Sequence, residues 1–256
     1  MRVENDYAIM EALTPEHLIS KKRKYVRMQA DTESAYLKQV TIFSSLNDTE
    51  IRDLMTVAKT RRFRAGEVIF HRDDPGQVLY IIKEGKVKIC LISTDGQELS
   101  LVVFGKGEYF GEFALLDGLP RSADAVALEN VVCYTVQRSD FYNAIMKNPK
   151  IAIQVLEVLV KRLRSTDQQV EDLIFLDVYG RVAKKLLELA ETHGTKVEDG
   201  TRIDVRLTQQ ELASMVGASR ESVNKVIGYF MDRGVISTDK HRITIHRLTD
   251  LKQRIY

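Results

Sequence analysis

Short apolar runs separated by glycines dominate the middle of the chain. Eight of the 14 glycines fall between Gly66 and Gly118. The runs that they punctuate are rich in β-branched and aromatic residues: VIF, VLYIIK, KVKICLI, LSLVVF, ADAVAL and VVCYTV. Thr94-Asp95-Gly96, between the third run and the fourth, is a strong hairpin pattern. Many short strands with regular turns predict a sandwich or barrel-like roll, which we place at residues 41–148.

Helical patterns flank this region on both sides. The segment Asn47–Leu54 predicts a helix, and a longer helical stretch follows Pro149 without glycine or proline until Gly180. Its apolar residues have the heptad spacing of a two-stranded coiled coil: Leu156, Val160, Leu163, Val170 and Ile174. Asp167 occupies the one missing position of this seam. We therefore predict a dimerisation helix over residues 149–176; the alternative is a stripe that packs on its own domain.

The first 40 residues form an extension that we expect to be partly helical. Thr14-Pro15-Glu16 is a helix-start pattern, in which a capping residue precedes proline at the first helical position. The basic run Lys21-Lys22-Arg23-Lys24 could contact nucleic acid, but such runs are more often a solvated helix face. We assign it no function.

Two helix starts and a glycine turn lie between residues 207 and 237. Thr208-Gln209-Gln210-Glu211 is a capping box, and the helix that it opens ends near Gly217. Ser219 caps a second helix, which Gly234 ends. After Gly234, the runs VIS and RITIH predict a β-hairpin wing around residues 238–241. The pattern is typical of a winged helix-turn-helix.

The second of these helices has one apolar face and one polar face. The apolar face consists of Val223, Val226, Ile227 and Phe230. Glu221 and Lys225 project on the opposite side, and Arg220 lies at the exposed amino-terminal end. Arginine can bond guanine bidentately and glutamate can accept from the cytosine amino group, so these positions suit a helix in the major groove. The alternative is a helical hairpin that binds another protein.

Charge and composition support this division of the chain. The segment from Thr201 to Tyr256 carries 10 basic and 6 acidic residues, against 28 and 30 in the rest. The basic surplus therefore lies in the region that would meet DNA. No apolar run approaches the roughly 18 residues of a membrane span. The amino terminus lacks a signal-peptide pattern, and Cys90 and Cys133 cannot build a disulfide framework. We expect a cytoplasmic protein without membrane contact.

Three segments carry a resemblance to a known family: GEFALLDGLPRSADA, FLDVYGRVAKKLLELA and LTQQELASMVGASRESV. With them, the chain resembles the cyclic AMP receptor protein (catabolite activator protein) family of bacterial regulators over about residues 41–247. The resemblance implies an α+β fold with a cyclic-nucleotide-binding β-roll (jelly roll), a long dimerisation helix, and a winged helix-turn-helix over residues 177–256. It also implies a homodimer that binds double-stranded DNA at a palindromic operator and contacts RNA polymerase.

The resemblance also implies a nucleotide site. Gly111 and Glu112 match positions that contact the ribose, Arg121 and Ser122 match those that hold the cyclic phosphate, and Thr166 matches one that touches the purine. Phe113 and Ala114 complete the set of expected nucleotide-contacting residues between Gly111 and Ser122, which we call the cassette. The chemistry agrees, because arginine can pair with a phosphodiester through two parallel hydrogen bonds. We expect cyclic AMP as the effector, with cyclic GMP as the alternative.

Asp167 departs from the family pattern, since the best-known member has serine at this position. A carboxylate in a coiled-coil seam is costly unless it is solvated or partnered. The amino group of adenine could partner it, and so could the paired N–H donors of guanine. The alternative is a solvated defect in the seam.

The remaining implied sites concern DNA binding and the interdomain hinge. The hinge is Phe175, Leu176 and Asp177. The expected DNA-contacting residues are Thr208, Gln209, Gln210, Ser219, Arg220, Glu221 and Lys225. Lys225 stands where the best-known member has arginine. Gln209 stands where a phosphate-contacting arginine occurs, so the resemblance alone does not establish that phosphate contact.

Other functions find no support in the residues. The five histidines match no metal spacing, no GK[ST] phosphate loop is present, and residues 1–40 contain no cysteine for an iron–sulfur cluster. We therefore expect neither an enzyme nor a metal protein. Two alternatives remain: a regulator that binds DNA constitutively or answers another ligand, and a nucleotide-binding module that controls an enzyme.

Overall fold

The computed structural model describes residues 33–255. The helix start at Thr14-Pro15-Glu16 and the basic run Lys21-Lys22-Arg23-Lys24 lie outside the described residues. Among those described, no helix is both long enough and apolar enough to cross a membrane.

Two four-stranded antiparallel sheets form the β-roll. Their strand orders are β1-β8-β3-β6 and β2-β7-β4-β5. The strands are β1 (Lys59–Phe63), β2 (Val68–Phe70), β3 (Val78–Glu84), β4 (Val87–Ile92), β5 (Glu98–Phe104), β6 (Tyr109–Phe110), β7 (Asp124–Ala127) and β8 (Val131–Gln137). All six predicted runs form strands, and the turn at Thr94-Asp95-Gly96 joins β4 to β5. The predicted roll is confirmed.

The sequence pattern missed β1 and β6. The first, KTRRF, is almost wholly exposed and pairs only with β8, so it lacks the apolar alternation that marks a half-buried strand. The second has two residues.

Short helices close the roll. A 3₁₀ turn (Thr41–Phe43) precedes α1 (Asp48–Val57), which begins with a capping box between Asn47 and Glu50. Then follow α2 (Glu112–Asp117) and α3 (Arg138–Lys147). Leu37 and Val40, which precede the boundary expected at residue 41, are fully buried in the same apolar cluster as α1.

One long helix, α4 (Lys150–Phe175), leads out of the β-roll. The chain then leaves the helical conformation at Leu176 and re-enters it in α5 (Val178–His193). The Asp177 carboxylate accepts the N–H of Gly180 at 2.8 Å and so caps α5. This break falls within the expected hinge.

A unit of helices and one four-stranded sheet follows at the carboxyl end. It contains β9 (Gly194–Val197), β10 (Gly200–Ile203), α6 (Gln209–Val216), α7 (Arg220–Asp232), β11 (Ile236–Asp239), β12 (Arg242–Ile245) and α8 (Leu248–Lys252). Strands β11 and β12 are the predicted wing, and they join β10 and β9 in one sheet. The predicted buried face of α7 is confirmed, because Val223, Val226, Ile227 and Phe230 all lie in the core of this unit.

Candidate functional site

A cleft lies between the β-roll and α4. Seven of the residues expected at the nucleotide site line it together: Gly111, Glu112, Phe113, Ala114, Arg121, Ser122 and Thr166. Apolar residues of β4 and β5 form the facing wall, among them Ile89, Leu101 and Phe104. The structure thus brings together residues that are up to 55 positions apart in the chain. Asp167 is exposed and does not line this cleft.

Arg121 is a buried, positively charged residue of the cassette that lines the cleft. Its side chain is 4% exposed, and it donates from Nη1 to the Gly111 carbonyl (2.8 Å) and from Nη2 to the Val78 carbonyl (2.9 Å). Its Nε is buried without a hydrogen-bond partner, and no carboxylate in residues 33–255 forms a salt bridge with it. Burial lowers the pKa of this guanidinium. A buried cation that lacks a counter-ion is costly, and an anion in the cleft would supply one.

Two glycines make room for this arginine. Gly111 has φ of +85°, and a Cβ there would lie 2.6 Å from Arg121 Nη1. A Cβ at Gly76 would lie 3.1 Å from Arg121 Nε and 2.2 Å from the Ala114 Cβ. The first position requires glycine for its backbone conformation as well as for space. The arginine therefore fits only because both segments approach it without side chains.

Glu112 is also buried, and its carboxylate is already paired. The guanidinium of Arg162, on α4, donates to it and also donates from Nη2 to the Tyr109 carbonyl at 2.7 Å. The same guanidinium lies 4.3 Å from the ring centre of Phe104. Arg162 was not among the expected site residues. It precedes Thr166 by one helical turn, and this spacing is the signal that could have identified it.

The α4 side of the cleft is held in place by hydrogen bonds. Thr166 donates its hydroxyl to the Arg162 carbonyl at 3.0 Å. Gln169 donates to the Leu101 carbonyl of β5 at 3.0 Å and also lines the cleft. The long helix is therefore attached to the β5 wall of the cleft.

Another face of α4 carries an exposed apolar stripe. Its members in residues 33–255 are Ile153, Leu156, Val160, Leu163, Val170 and Ile174. With Asp167 included, their separations alternate between three and four residues, which is the pattern of a coiled-coil seam. Nothing in residues 33–255 covers this face, so among the described residues the stripe does not pack on its own domain.

The carboxyl-terminal unit has the expected helix-turn-helix caps. Thr208 and Glu211 form the capping box of α6, and Gly217 ends that helix with φ of +60°. Ser219 caps α7 by accepting the N–H of Ser222 at 3.2 Å. Each of these local features was predicted from sequence, and each is confirmed.

The polar side of this unit is exposed. Thr208, Gln210, Ser219, Arg220, Glu221 and Lys225 are all exposed. Gln209 is half-buried and donates its amide to the Asn224 side chain at 2.7 Å. Asn224, an exposed residue of α7 beside Lys225, was not among the expected residues. It faces the α6 terminus rather than the centre of the polar face.

The sequence matches two family models. Residues 60–148 match the cyclic nucleotide-binding domain, and residues 180–254 match the Crp-like helix-turn-helix domain. These ranges contain the cleft cassette and the two capped helices, respectively.

Individual proteins are similar over most of their length. The CRP-like cAMP-activated global transcriptional regulator of Mycobacterium tuberculosis is 38% identical over 218 residues, which cover 85% of this chain and 97% of that protein. The cyclic AMP receptor protein of Thermus thermophilus is 33% identical over 200 residues, or 78% of this chain and 89% of that protein.

A solved structure with the same architecture responds to a different nucleotide. The c-di-GMP-responsive global regulator CLP of Xanthomonas campestris has a TM-score of 0.71 and 25% identity, and the match covers 78% of this chain and 99% of that one.

Proposed function

Because this chain belongs to the cyclic AMP receptor protein family of bacterial transcription regulators, we propose that it is a homodimer whose DNA binding is switched on by cyclic AMP. The family and the two matched domains make it a cyclic-nucleotide-responsive, DNA-binding regulator. The observation that carries the choice of ligand class is the buried Arg121, which has no carboxylate partner in residues 33–255.

A cyclic phosphodiester suits this arginine. It carries one negative charge, which would balance the charge of Arg121, a residue without a carboxylate partner in residues 33–255. Ser122 adds a hydroxyl donor at the same end of the cleft. Towards α4, the Glu112–Arg162 pair lies where the ribose would be, with Glu112 as acceptor and Arg162 as donor. A free phosphate would not use this second pair, so the cleft favours a phosphate joined to a sugar.

The base is the less constrained part of the ligand. Thr166 lines the cleft on α4, while Asp167 lies on the exposed seam. In a homodimer, Asp167 of one chain would approach the nucleotide that is bound to its partner. Its carboxylate can accept from the amino group of adenine or from the paired donors of guanine. Two close relatives are named for cyclic AMP, and we therefore place cyclic AMP first and cyclic GMP second.

Calorimetric titration of dialysed protein tests this choice. We expect heat from cyclic AMP and weaker binding of cyclic GMP. We expect Asp167→Ser to change the ratio of the two dissociation constants, because only the wild type has a carboxylate for the exocyclic donors. An unchanged ratio would show that Asp167 does not read the base. No heat from either nucleotide would contradict the proposed effector, and cyclic di-GMP is the next ligand to titrate.

The uncovered α4 stripe supports the homodimer. Parallel packing of two such helices would bury the six apolar positions of each and would bring the clefts close to the seam. Nucleotide binding can then favour one arrangement of the DNA-binding units only through its difference in affinity for the two states. In the active arrangement, the two α7 helices would enter successive major grooves about 34–36 Å apart.

Two charge substitutions on α4 test the dimer. We expect Leu163→Asp to convert the protein into a monomer, because the carboxylate would replace a buried seam residue. Arg164→Asp is the matched control, since Arg164 is exposed on α4 outside the seam. Sedimentation velocity at several concentrations measures the outcome. A dimeric Leu163→Asp protein would show that this stripe is not the interface.

A further inference from the structure

Arg181 connects the interdomain break to the turn of the helix-turn-helix. It lies in the first turn of α5, four residues after Asp177. Its Nη1 donates to the Leu176 carbonyl at 2.8 Å, and its Nε donates to the Val216 carbonyl at 2.8 Å. Its Nη2 also approaches the Gly217 carbonyl at 3.4 Å. One guanidinium therefore spans three carbonyls that belong to two different parts of the molecule.

These carbonyls are the ones whose positions must be coordinated if the domains rotate. Leu176 is the residue at which α4 ends. Val216 is the last residue of α6, and Gly217 is its cap in the left-handed conformation. Carbonyls at a helix carboxyl end lack intrahelical donors and carry partial negative charge, so a cation is favourable there. The planar guanidinium can serve both groups at once, which an ammonium cannot do in a fixed geometry.

Apolar packing at the same turn reaches the β-roll. A Cβ at Gly217 would lie 3.1 Å from Leu173 Cδ2 and 3.4 Å from Leu99 Cδ1, so both leucines pack on this glycine. Leu173 belongs to α4 and Leu99 to β5, and two residues further along β5, Leu101 lines the nucleotide cleft. The turn that positions α7 thus contacts α4 and β5, the two elements whose other residues line the cleft.

We propose that Arg181 is a positioning residue that transmits the state of the Leu176 hinge to the DNA-reading helix. When the end of α4 moves, the hydrogen bonds of Arg181 move the carboxyl end of α6 with it, and the Gly217 turn then moves α7. This inference rests on the proposed nucleotide gating, and it adds the residue through which the gating acts. Arg181 itself touches neither the cleft nor the exposed DNA-reading side chains.

A neighbouring ion pair provides a matched control. Lys184 of α5 bonds Asp172 of α4 at 2.6 Å and therefore also crosses the hinge. None of its polar contacts reaches α6. If any interaction across the break were sufficient, loss of Lys184 would uncouple the protein as strongly as loss of Arg181.

The experiment measures coupling in the full-length dimer. Fluorescence anisotropy gives the affinity for an operator duplex, selected with the wild-type protein, at zero and at saturating cyclic AMP. The ratio of the two affinities is the coupling factor, which in allosteric proteins is typically about 5- to 150-fold. We expect Arg181→Met to lower this factor to about twofold or less, with Arg181→Lys intermediate and Lys184→Met close to wild type. Cyclic AMP affinity without DNA should stay unchanged in all three.

The outcomes separate this inference from the proposed function. Wild-type protein without coupling would overturn both. Two outcomes would overturn only the role of Arg181. One is a coupling factor in Arg181→Met that equals the wild-type value, and the other is a loss of coupling in Lys184→Met as large as that in Arg181→Met. Reduced coupling in Arg181→Met with unchanged nucleotide affinity supports it, because a merely structural role would not separate the two measurements. If Arg181→Met fails to fold, Arg181→Lys decides: wild-type coupling in that variant would overturn the role.

Discussion

Replacing Arg121 by methionine is expected to weaken cyclic AMP binding by about 2–5 kcal/mol, which corresponds to roughly 30-fold to more than 1,000-fold in the dissociation constant. The side chain is buried, lacks a carboxylate partner in residues 33–255, and has an unpaired Nε. In the complex, the phosphodiester would lose its only buried cationic partner at that end of the cleft. Calorimetric titration measures the loss.

The same substitution should change the stability of the unliganded protein much less than it changes nucleotide affinity. Methionine removes a buried charge that has no carboxylate partner in residues 33–255, but it also leaves the Gly111 and Val78 carbonyls without their Arg121 donors, so the two effects oppose each other. Thermal unfolding of the variant, with and without nucleotide, distinguishes a loss of nucleotide binding from a failure of the variant to fold. Arg72→Met is the control for net charge, because Arg72 is exposed and does not line the cleft. Wild-type affinity in Arg121→Met would contradict the proposed phosphate site.

The double substitution Arg220→Ala and Glu221→Ala is expected to abolish preference for the operator. Both residues are exposed at the first turn of α7, and each good base contact contributes about 1–3 kcal/mol of discrimination. Affinity for a random duplex should persist, because phosphate contacts carry non-specific binding. Competition between the two duplexes measures the effect, with saturating cyclic AMP present throughout.

A substitution at the other end of the same helix serves as control. Asp232 is exposed at the last position of α7, and Asp232→Ala should keep operator preference. Nucleotide affinity of the double variant should also be unchanged, since neither residue lines the cleft. Retained operator preference in the double variant would show that Arg220 and Glu221 are not the residues that read the bases.

Local patterns determined much of this molecule. The helix over residues 47–54, the capping box at Thr208, the cap at Ser219 and the hairpin at Thr94-Asp95-Gly96 all formed as the sequence predicts. Each of these features depends on residues within a few positions of one another, so a short window of sequence is enough to predict it. The apolar face of α7 and the apolar stripe on α4 follow from helical periodicity in the same way.

Contacts between distant segments were decided only by the tertiary structure. Strand β1 forms because β8, about 70 residues later, offers a free edge to a segment with little apolar character of its own. The burial of Leu37 and Val40 likewise depends on the packing of the β-roll. No short window of sequence contains the partner in either case.

The candidate site likewise has features that local sequence predicts and features that depend on tertiary packing. The sequence by itself determined the cassette from Gly111 to Ser122 and the polar face of α7, because these residues follow local turns and one helical repeat. Three features appeared only in the fold: the pairing of Glu112 with Arg162, the lack of a carboxylate partner for Arg121 in residues 33–255, and the bridge from Arg181 to Val216. Charge compensation and carbonyl capping depend on which groups burial brings within hydrogen-bond distance, and that depends on how whole elements pack.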